Sequence, residues 1–325
     1  MPSDSSFPIS DHCDGLRFFN PRGHVNRTWL DVLKWRRTST AQPWPRSVTI
    51  EPHSLPPLTA EHKVSCTWIN HATFLLRFPK CSVLTDPVYS NCAGPLGRLG
   101  PRRVHPPGIG YRQLPKIAII LLSHDHYDHC DLPTLRRLAR DHAPKVITPL
   151  GNGALLRRAG FDHANIIELD WWQQQRTGSG PTVTLTPARH WSNRLSGPRN
   201  GRLWGGFHLQ AEQRNVLFTG DTAYDPEHFT TIRRRLGAPD LALIPIGAYE
   251  PRWFMSAQHC NPAEAVQIHI ELGARQSVGM HWGTFQLTDE ARDTPVTALQ
   301  AAIQSNSVAK HSFRTLNPGE TIFAP

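Results

Sequence analysis

The segment SHDHYDHCD, residues 123–131, directly follows the apolar run KIAIILL and constrains this chain more than any other feature. A continuous apolar run ending in polar residues is what a strand covered on both faces requires. At the end of an extended segment, residues i and i+2 point to the same side, so His124 and His126 can hold one cation together. Asp128 and His129 arrive as the chain turns into the next helix, so they point elsewhere and can hold a second ion nearby. Imidazole and carboxylate suit zinc, manganese or iron, and neither requires a thiolate.

Two ions need more ligands than this segment supplies, and three further strand ends supply them. His190 lies in TPARHWSNR after TVTLTPA, and His281 lies in GMHWGTF after SVG. Asp221 lies in FTGDT after NVLF, where a carboxylate can bridge both ions. A lone histidine after a strand is ordinarily a surface or core residue. Its recurrence at the same kind of position, beside residues 123–131, outweighs that reading. Two divalent ions sharing a water lower its pKa enough to make hydroxide available near neutral pH. They also neutralise charge on phosphoryl or carbonyl oxygens. No GxSxG elbow offers a serine nucleophile in their place.

Around these motifs the pattern alternates. VSCTWIN, TFLLRF and SVLTD read as consecutive strands, LPTLRRLAR as a helix, and KVITP, ALLRRAG and NIIEL as strand, helix, strand. TVTLTPA, RLWGGFHLQ and NVLFTGD give further strands, HFTTIRRRLG and PAEAVQIHIELG helices, and PVTALQAAIQ a last helix. Strands with intervening helices predict stacked layers, sheets inside and helices outside. No internal repeat is visible. Residues 1–60, rich in Pro, Arg and Trp, are expected to form an N-terminal extension packed on a domain spanning 61–325.

No apolar run approaches the roughly 18–20 residues of a bilayer span, and MPSDSSFPIS lacks the basic start and apolar stretch of a secretion signal. Six scattered cysteines without CxxC spacing read as free thiols of a reducing compartment. A cytoplasmic protein is expected. Its net charge of +9 allows peripheral contact with the inner membrane face. No nucleic-acid module or aromatic-interleaved basic patch is present, so a nucleic-acid partner is not expected. Oligomeric state is left open.

HxHxDH with a later His, a GD strand end and a final His is similar to the metal pattern of the metallo-β-lactamase superfamily. That resemblance implies an α/β fold, the four-layer αββα sandwich. It also implies that His124, His126 and His190 hold one metal, Asp128, His129 and His281 the other, and that Asp221 bridges them. The segments RFFNP, WINHATFLLRF, LTDPVYS, FTGDTAYD, PIGAYEPRWFMSAQHCNPAEAV and HWGTFQLTDE resemble those of N-acyl-phosphatidylethanolamine-hydrolysing phospholipase D and its bacterial relatives. The implied chemistry is cleavage of the distal phosphodiester of an N-acylated aminophospholipid, giving phosphatidic acid and an N-acylethanolamine. The implied cofactor is a pair of divalent ions, zinc before manganese or iron. The same metal set also serves a lactonase, a small-molecule or nucleotide phosphodiesterase, or a metal-binding protein without turnover.

Further residues are weighed beside these. Asp128 and Asp221 are expected to act in catalysis as well as in binding. Tyr127 is as readily a packing residue as one that orients a substrate phosphate. His259, in the QHC stretch, matches by resemblance a histidine near the active site. His71 is read as a turn residue before a metal neighbour, and Asp86 as a hydrogen-bond partner of a ligand imidazole. Trp171, Trp172, Tyr249, Trp253 and Phe254 could line an apolar face for acyl chains. For the two adjacent tryptophans, core packing is at least as good a reading.

Overall fold

The computed structural model describes residues 7–23, 25–59, 64–211 and 214–325. The expected domain boundary at 60/61 lies outside them. The first sheet is built from β1 (Ser65–Asn70), β2 (Thr73–Phe78), β3 (Cys81–Thr85), β4 (Ile119–Leu121), β5 (Lys145–Pro149) and β6 (Ile166–Leu169). The second is built from β7 (Gln174–Arg176), β8 (Thr182–Thr186), β9 (Gly206–Ala211), β10 (Arg214–Phe218), β11 (Leu241–Pro245), β12 (Gln276–Met280) and β13 (Phe313–Arg314). The last strand, β14 (Thr321–Phe323), returns to the first sheet and pairs antiparallel with β1. Among the described residues seven α-helices accompany them: α1 (Trp29–Thr38), α2 (Leu132–His142), α3 (Gly153–Arg158), α4 (His228–Leu236), α5 (Arg252–Met255), α6 (Pro262–Leu272) and α7 (Thr294–Ser305).

The two seven-stranded sheets have the orders β14-β1-β2-β3-β4-β5-β6 and β13-β12-β11-β10-β9-β8-β7. Each joins an antiparallel part, β1 to β3 or β7 to β10, to a parallel part that continues from it. The halves therefore share a design that their residue patterns do not reveal.

Side-chain alternation explains the layering. Phe74, Leu76, Val83, Ile119 and Leu121 pack in the large core that also takes Phe207, Leu209, Val216 and Phe218 of the other sheet. The residues between them, Leu75, Leu84, Ile120 and Leu122, belong to a second core with Leu135 and Leu138 of α2 and Leu155 and Leu156 of α3. A strand's faces alternate with period two, so one apolar run serves both cores. On the far side, Ala265, Val266 and Ile268 of α6 and Leu299 of α7 cover the second sheet. The order is helix, sheet, sheet, helix.

Residues before β1 are tied to this body. Phe18 is buried in the large core, and His12 stacks on Trp171 at 4.2 Å while its Nε2 lies 2.8 Å from Asp170. Trp35 and Trp44 donate their indole N–H groups to Asp289 and to the Glu290 carbonyl.

Candidate metal centre

The polar segments after β4, β8, β10 and β12 converge, the first from one sheet and the other three from the second. Open α/β sheets characteristically bind ligands beyond the C-terminal ends of their strands. His124, His126 and His190 form one group whose ligand atoms lie within 4.8 Å of one another. His124 Nε2 is 3.0 Å and His190 Nε2 is 3.2 Å from His126 Nδ1. A second group, by the same measure, brings together Asp128, His129, His281 and His71. Asp128 Oδ2 lies 3.2 Å from His281 Nε2, 3.5 Å from His129 Nε2 and 3.0 Å from His71 Nε2.

Asp221 stands between the groups. Its Oδ2 is 3.1 Å from both His129 Nε2 and His281 Nε2, and 3.9 and 3.8 Å from the Nε2 atoms of His124 and His190. The chain must turn tightly to place it. Gly220 before it has φ 60°, and a Cβ there would sit 2.7 Å from the Gly205 carbonyl oxygen. His281 (φ 63°), His71 (φ 44°) and Asp86 (φ 31°) also hold left-handed backbone that such residues rarely adopt. Strain of this kind persists where surrounding structure over-determines it, commonly at functional sites.

Three of the imidazoles are oriented from behind. His190 Nδ1 donates to the Gln258 carbonyl at 2.8 Å, and His129 Nδ1 to Asp86 Oδ2 at 2.6 Å. Ser123 donates its backbone N–H to Asp86 Oδ1 (2.7 Å) and its hydroxyl to Asp86 Oδ2 (2.5 Å), so the hydroxyl oxygen accepts from His124 Nδ1 at 2.8 Å. The Nε2 atoms of His124, His129 and His190 are thereby turned toward the cluster. His129 Nε2 and Asp221 Oδ1 are buried without a hydrogen-bond partner among the described residues. Orphaned buried donors and acceptors are costly unless something else satisfies them. A donor set of imidazole nitrogens and carboxylate oxygens fits borderline divalent cations such as zinc.

The charges agree. Burial, reinforced by neighbouring imidazoles, pulls His124 well below the ordinary histidine range, and burial likewise brings His126 to about 4 and His190 to about 3. These three are neutral, as ligands must be. Burial also opposes protonation of His129 and His281. The carboxylates of Asp221 and Asp128 override it, aided at His129 by Asp86, and hold His129 well above the usual range and His281 at about 9. Asp128 and Asp221 are pulled well below the usual carboxylate range against the opposing effect of burial, chiefly by His129.

His259 joins the pocket. Its Nδ1 lies 4.0 Å from Asp221 Oδ2 and its ring between those of His190 and His281, and burial lowers it to about 3. Tyr127 sits half-buried beside the first group, with the Arg194 guanidinium 4.0 Å from its ring centroid. His71 does occupy the β1–β2 turn, but its ring also faces Asp128, so a turn assignment alone misses half of its position. Trp171 serves the core, stacking on His12 and donating to the Trp204 carbonyl. The residues that brace the metal-binding loop carried no signal in the sequence. The buried Arg194 donates to the carbonyls of Asp125 and Cys130, while Asp125 accepts from Arg202 at 2.8 Å and from the Asn193 N–H.

The Beta-lactamase superfamily domain profile matches residues 82–282. The chain is 37% identical over 270 residues to N-acyl-phosphatidylethanolamine-hydrolyzing phospholipase D 1 of Caenorhabditis elegans, covering 80% of this chain and 76% of the worm protein. It is 36% identical over 229 residues to the mitochondrial N-acyl-phosphatidylethanolamine-hydrolyzing phospholipase D of Saccharomyces cerevisiae, covering 69% of this chain and 48% of the yeast protein. Among solved structures, a metallo hydrolase from the archaeon Ignicoccus hospitalis superposes with a TM-score of 0.58 at 22% identity, covering 80% of this chain and 97% of that one. That last likeness is one of fold.

Proposed function

For a chain that belongs to the metallo-β-lactamase superfamily, and within it to the family of N-acyl-phosphatidylethanolamine-hydrolysing phospholipase D, we propose a binuclear, metal-dependent phosphodiesterase of phospholipase D type. Its proposed substrates are N-acyl-phosphatidylethanolamine-like lipids, and its products phosphatidic acid and an N-acylethanolamine. The observation that carries the reading is the position of Asp221, whose Oδ2 lies 3.1 to 3.9 Å from nitrogens of both histidine groups.

His124, His126 and His190 would hold one ion, Asp128, His129 and His281 the other, with Asp221 shared and zinc the metal that best suits the donors. When bound, such ions lower the pKa of water and stabilise negative charge on phosphoryl oxygens. The protein's own groups do the rest. Asp128 and Asp221 stay ionised through the neutral range, so either can accept the proton of an attacking water. His71 lies 3.0 Å from Asp128 and supports its orientation. The buried, neutral His259 can donate one N–H to a phosphoryl or leaving oxygen. The phenol of Tyr127, whose ring meets the Arg194 guanidinium, would orient the phosphate.

The test is hydrolysis of N-acyl-phosphatidylethanolamine in mixed micelles by zinc-loaded protein, with bis-(p-nitrophenyl) phosphate assayed in parallel and His126→Ala as control. Wild-type release of N-acylethanolamine that disappears in the variant and with chelator is the expected result. Turnover of the small diester alone would keep the metal chemistry and discard the lipid.

A further inference from the structure

Helix α1 buries none of its residues, and three of its large apolar side chains, Trp29, Leu30 and Leu33, are exposed. We infer that α1 is an interfacial helix that seats the rim of the metal pocket on an anionic lipid surface. Its purpose rests on the phospholipase reading, while its evidence lies in the helix itself.

At about 100° per residue, Arg36, Trp29, Leu33, Arg37, Leu30 and Lys34 fall in that order on one arc of roughly 160°. All six are exposed, Trp29 by 69%, Leu30 by 59% and Leu33 by 38%. The opposite arc faces the body: Trp35 packs against Phe254 with ring centroids 5.0 Å apart and donates to Asp289. The helix's acid, Asp31, also lies off the outward arc, engaged in a capping box with Thr28. The outward arc is therefore apolar and cationic, with no carboxylate of its own.

A chain of contacts links this face to the metal pocket. Lys34 Nζ lies 4.7 Å from the ring of Trp253, which is itself 38% exposed and extends the apolar surface. Arg27, just before the helix, donates to the carbonyls of Trp253 and Phe254, and its own carbonyl accepts from Arg199. The Arg199 guanidinium lies 4.3 Å from the ring of Trp191, which in turn meets the ring of His126 at 4.7 Å.

The mixture of charges and apolar groups selects the occupant. A second copy docked by two-fold symmetry would set the three cations of one helix against the same three of its partner. Nucleic acid would engage the cations and leave Trp29, Leu30 and Leu33 in water. An anionic bilayer satisfies both sets, with apolar side chains in the acyl boundary and ammonium and guanidinium groups among the phosphates. N-acylation removes the amine charge of phosphatidylethanolamine and leaves its phosphodiester negative, so the same face would gather the proposed substrate.

The test is co-sedimentation of the zinc-loaded full chain with phosphatidylcholine vesicles, with and without phosphatidylglycerol, at low and high salt. The bound fraction is expected to be about tenfold higher on the anionic vesicles and to fall at high salt. A Leu30→Glu/Leu33→Glu variant should lose about tenfold in binding while keeping its melting temperature and its turnover of bis-(p-nitrophenyl) phosphate. Arg36→Glu/Arg37→Glu should lose the preference for anionic vesicles. Absence of wild-type binding, or equal binding by the leucine variant, overturns the inference. So does a dimer in sedimentation velocity that the leucine variant converts to monomer. Vesicle binding without lipid hydrolysis would leave the docking face and refute the phospholipase reading, and hydrolysis in micelles without vesicle binding would do the reverse.

Discussion

Asp86→Asn changes one atom of a fully buried side chain, and the structure predicts that it disables both histidine groups at once. Asp86 Oδ1 accepts the Ser123 N–H, so an asparagine there must keep its carbonyl oxygen on that side. Its amide nitrogen then takes the place of Oδ2, facing His129 Nδ1 and the Ser123 hydroxyl, which lie 2.6 and 2.5 Å from that atom. A donor facing Nδ1 removes the acceptor that lets His129 keep its Nδ1 proton while Nε2, the nitrogen that faces Asp221 and Asp128, gives its own up to a metal, so the proton that remains is held on Nε2. The Ser123 hydroxyl is likewise turned to donate toward His124 Nδ1, which moves the proton of His124 to its Nε2. Both site nitrogens are then occupied by hydrogen. Loss of such an outer partner typically costs 10–100-fold in metal affinity, or about 1.4–2.8 kcal/mol for each ion. Exchanging three charge-assisted hydrogen bonds for neutral ones lowers metal-free stability by about 3 kcal/mol. Zinc titration against a competing chelator measures the first effect and urea denaturation of the metal-free protein the second. Zinc affinity within threefold of wild type in a folded Asp86→Asn protein would refute the tautomer argument, with Ser123→Ala expected to weaken only the His124 group.

Other perturbations separate the parts. Because Asp221 and Asp128 keep His129 protonated and His281 at about 9, a cation entering at neutral pH displaces both protons. Zinc uptake at pH 7 should release about two protons, with affinity rising toward pH 9, as calorimetry in buffers of different ionisation enthalpy reads directly. The Arg202–Asp125 pair is buried, so Arg202→Met leaves an unpaired carboxylate and should cost about 3–5 kcal/mol in urea denaturation. His12 is raised because its bonds to Asp170 and Asp11 outweigh burial. Its contribution is fully present below the ordinary histidine pKa and is lost as pH rises through the folded value. The melting-temperature gap between wild type and His12→Gln should therefore shrink from pH 6 to pH 9.

The positions of the candidate ligands were legible because each follows a strand that announces itself by its own apolar pattern. His71 was not, because its turn between β1 and β2 has no local feature distinguishing a metal neighbour from a cap. Arg194 and Arg202 reach the loop around Asp125 through contacts made by folding alone, and a single arginine in HWSNR or GRLW carries no mark of that. Strands were overread where burial exceeded pairing. KIAIILLSH is buried from Ile119 onward but forms a ladder only over Ile119–Leu121, and RLWGGFHLQ becomes a strand only at Gly206, after Trp204 has turned its indole to the Ala188 carbonyl. The short edges β7, β13 and β14 lack a period to read. QQR at β7 is polar on both faces and half-exposed, so no hydrophobic alternation marks it.

Anomalous diffraction at the zinc edge from zinc-loaded crystals tests the central claim most directly. The account predicts two peaks, one within reach of His124, His126 and His190 and one within reach of Asp128, His129 and His281, with Asp221 contacting both. A single peak, or zinc held by residues outside this set, would contradict it.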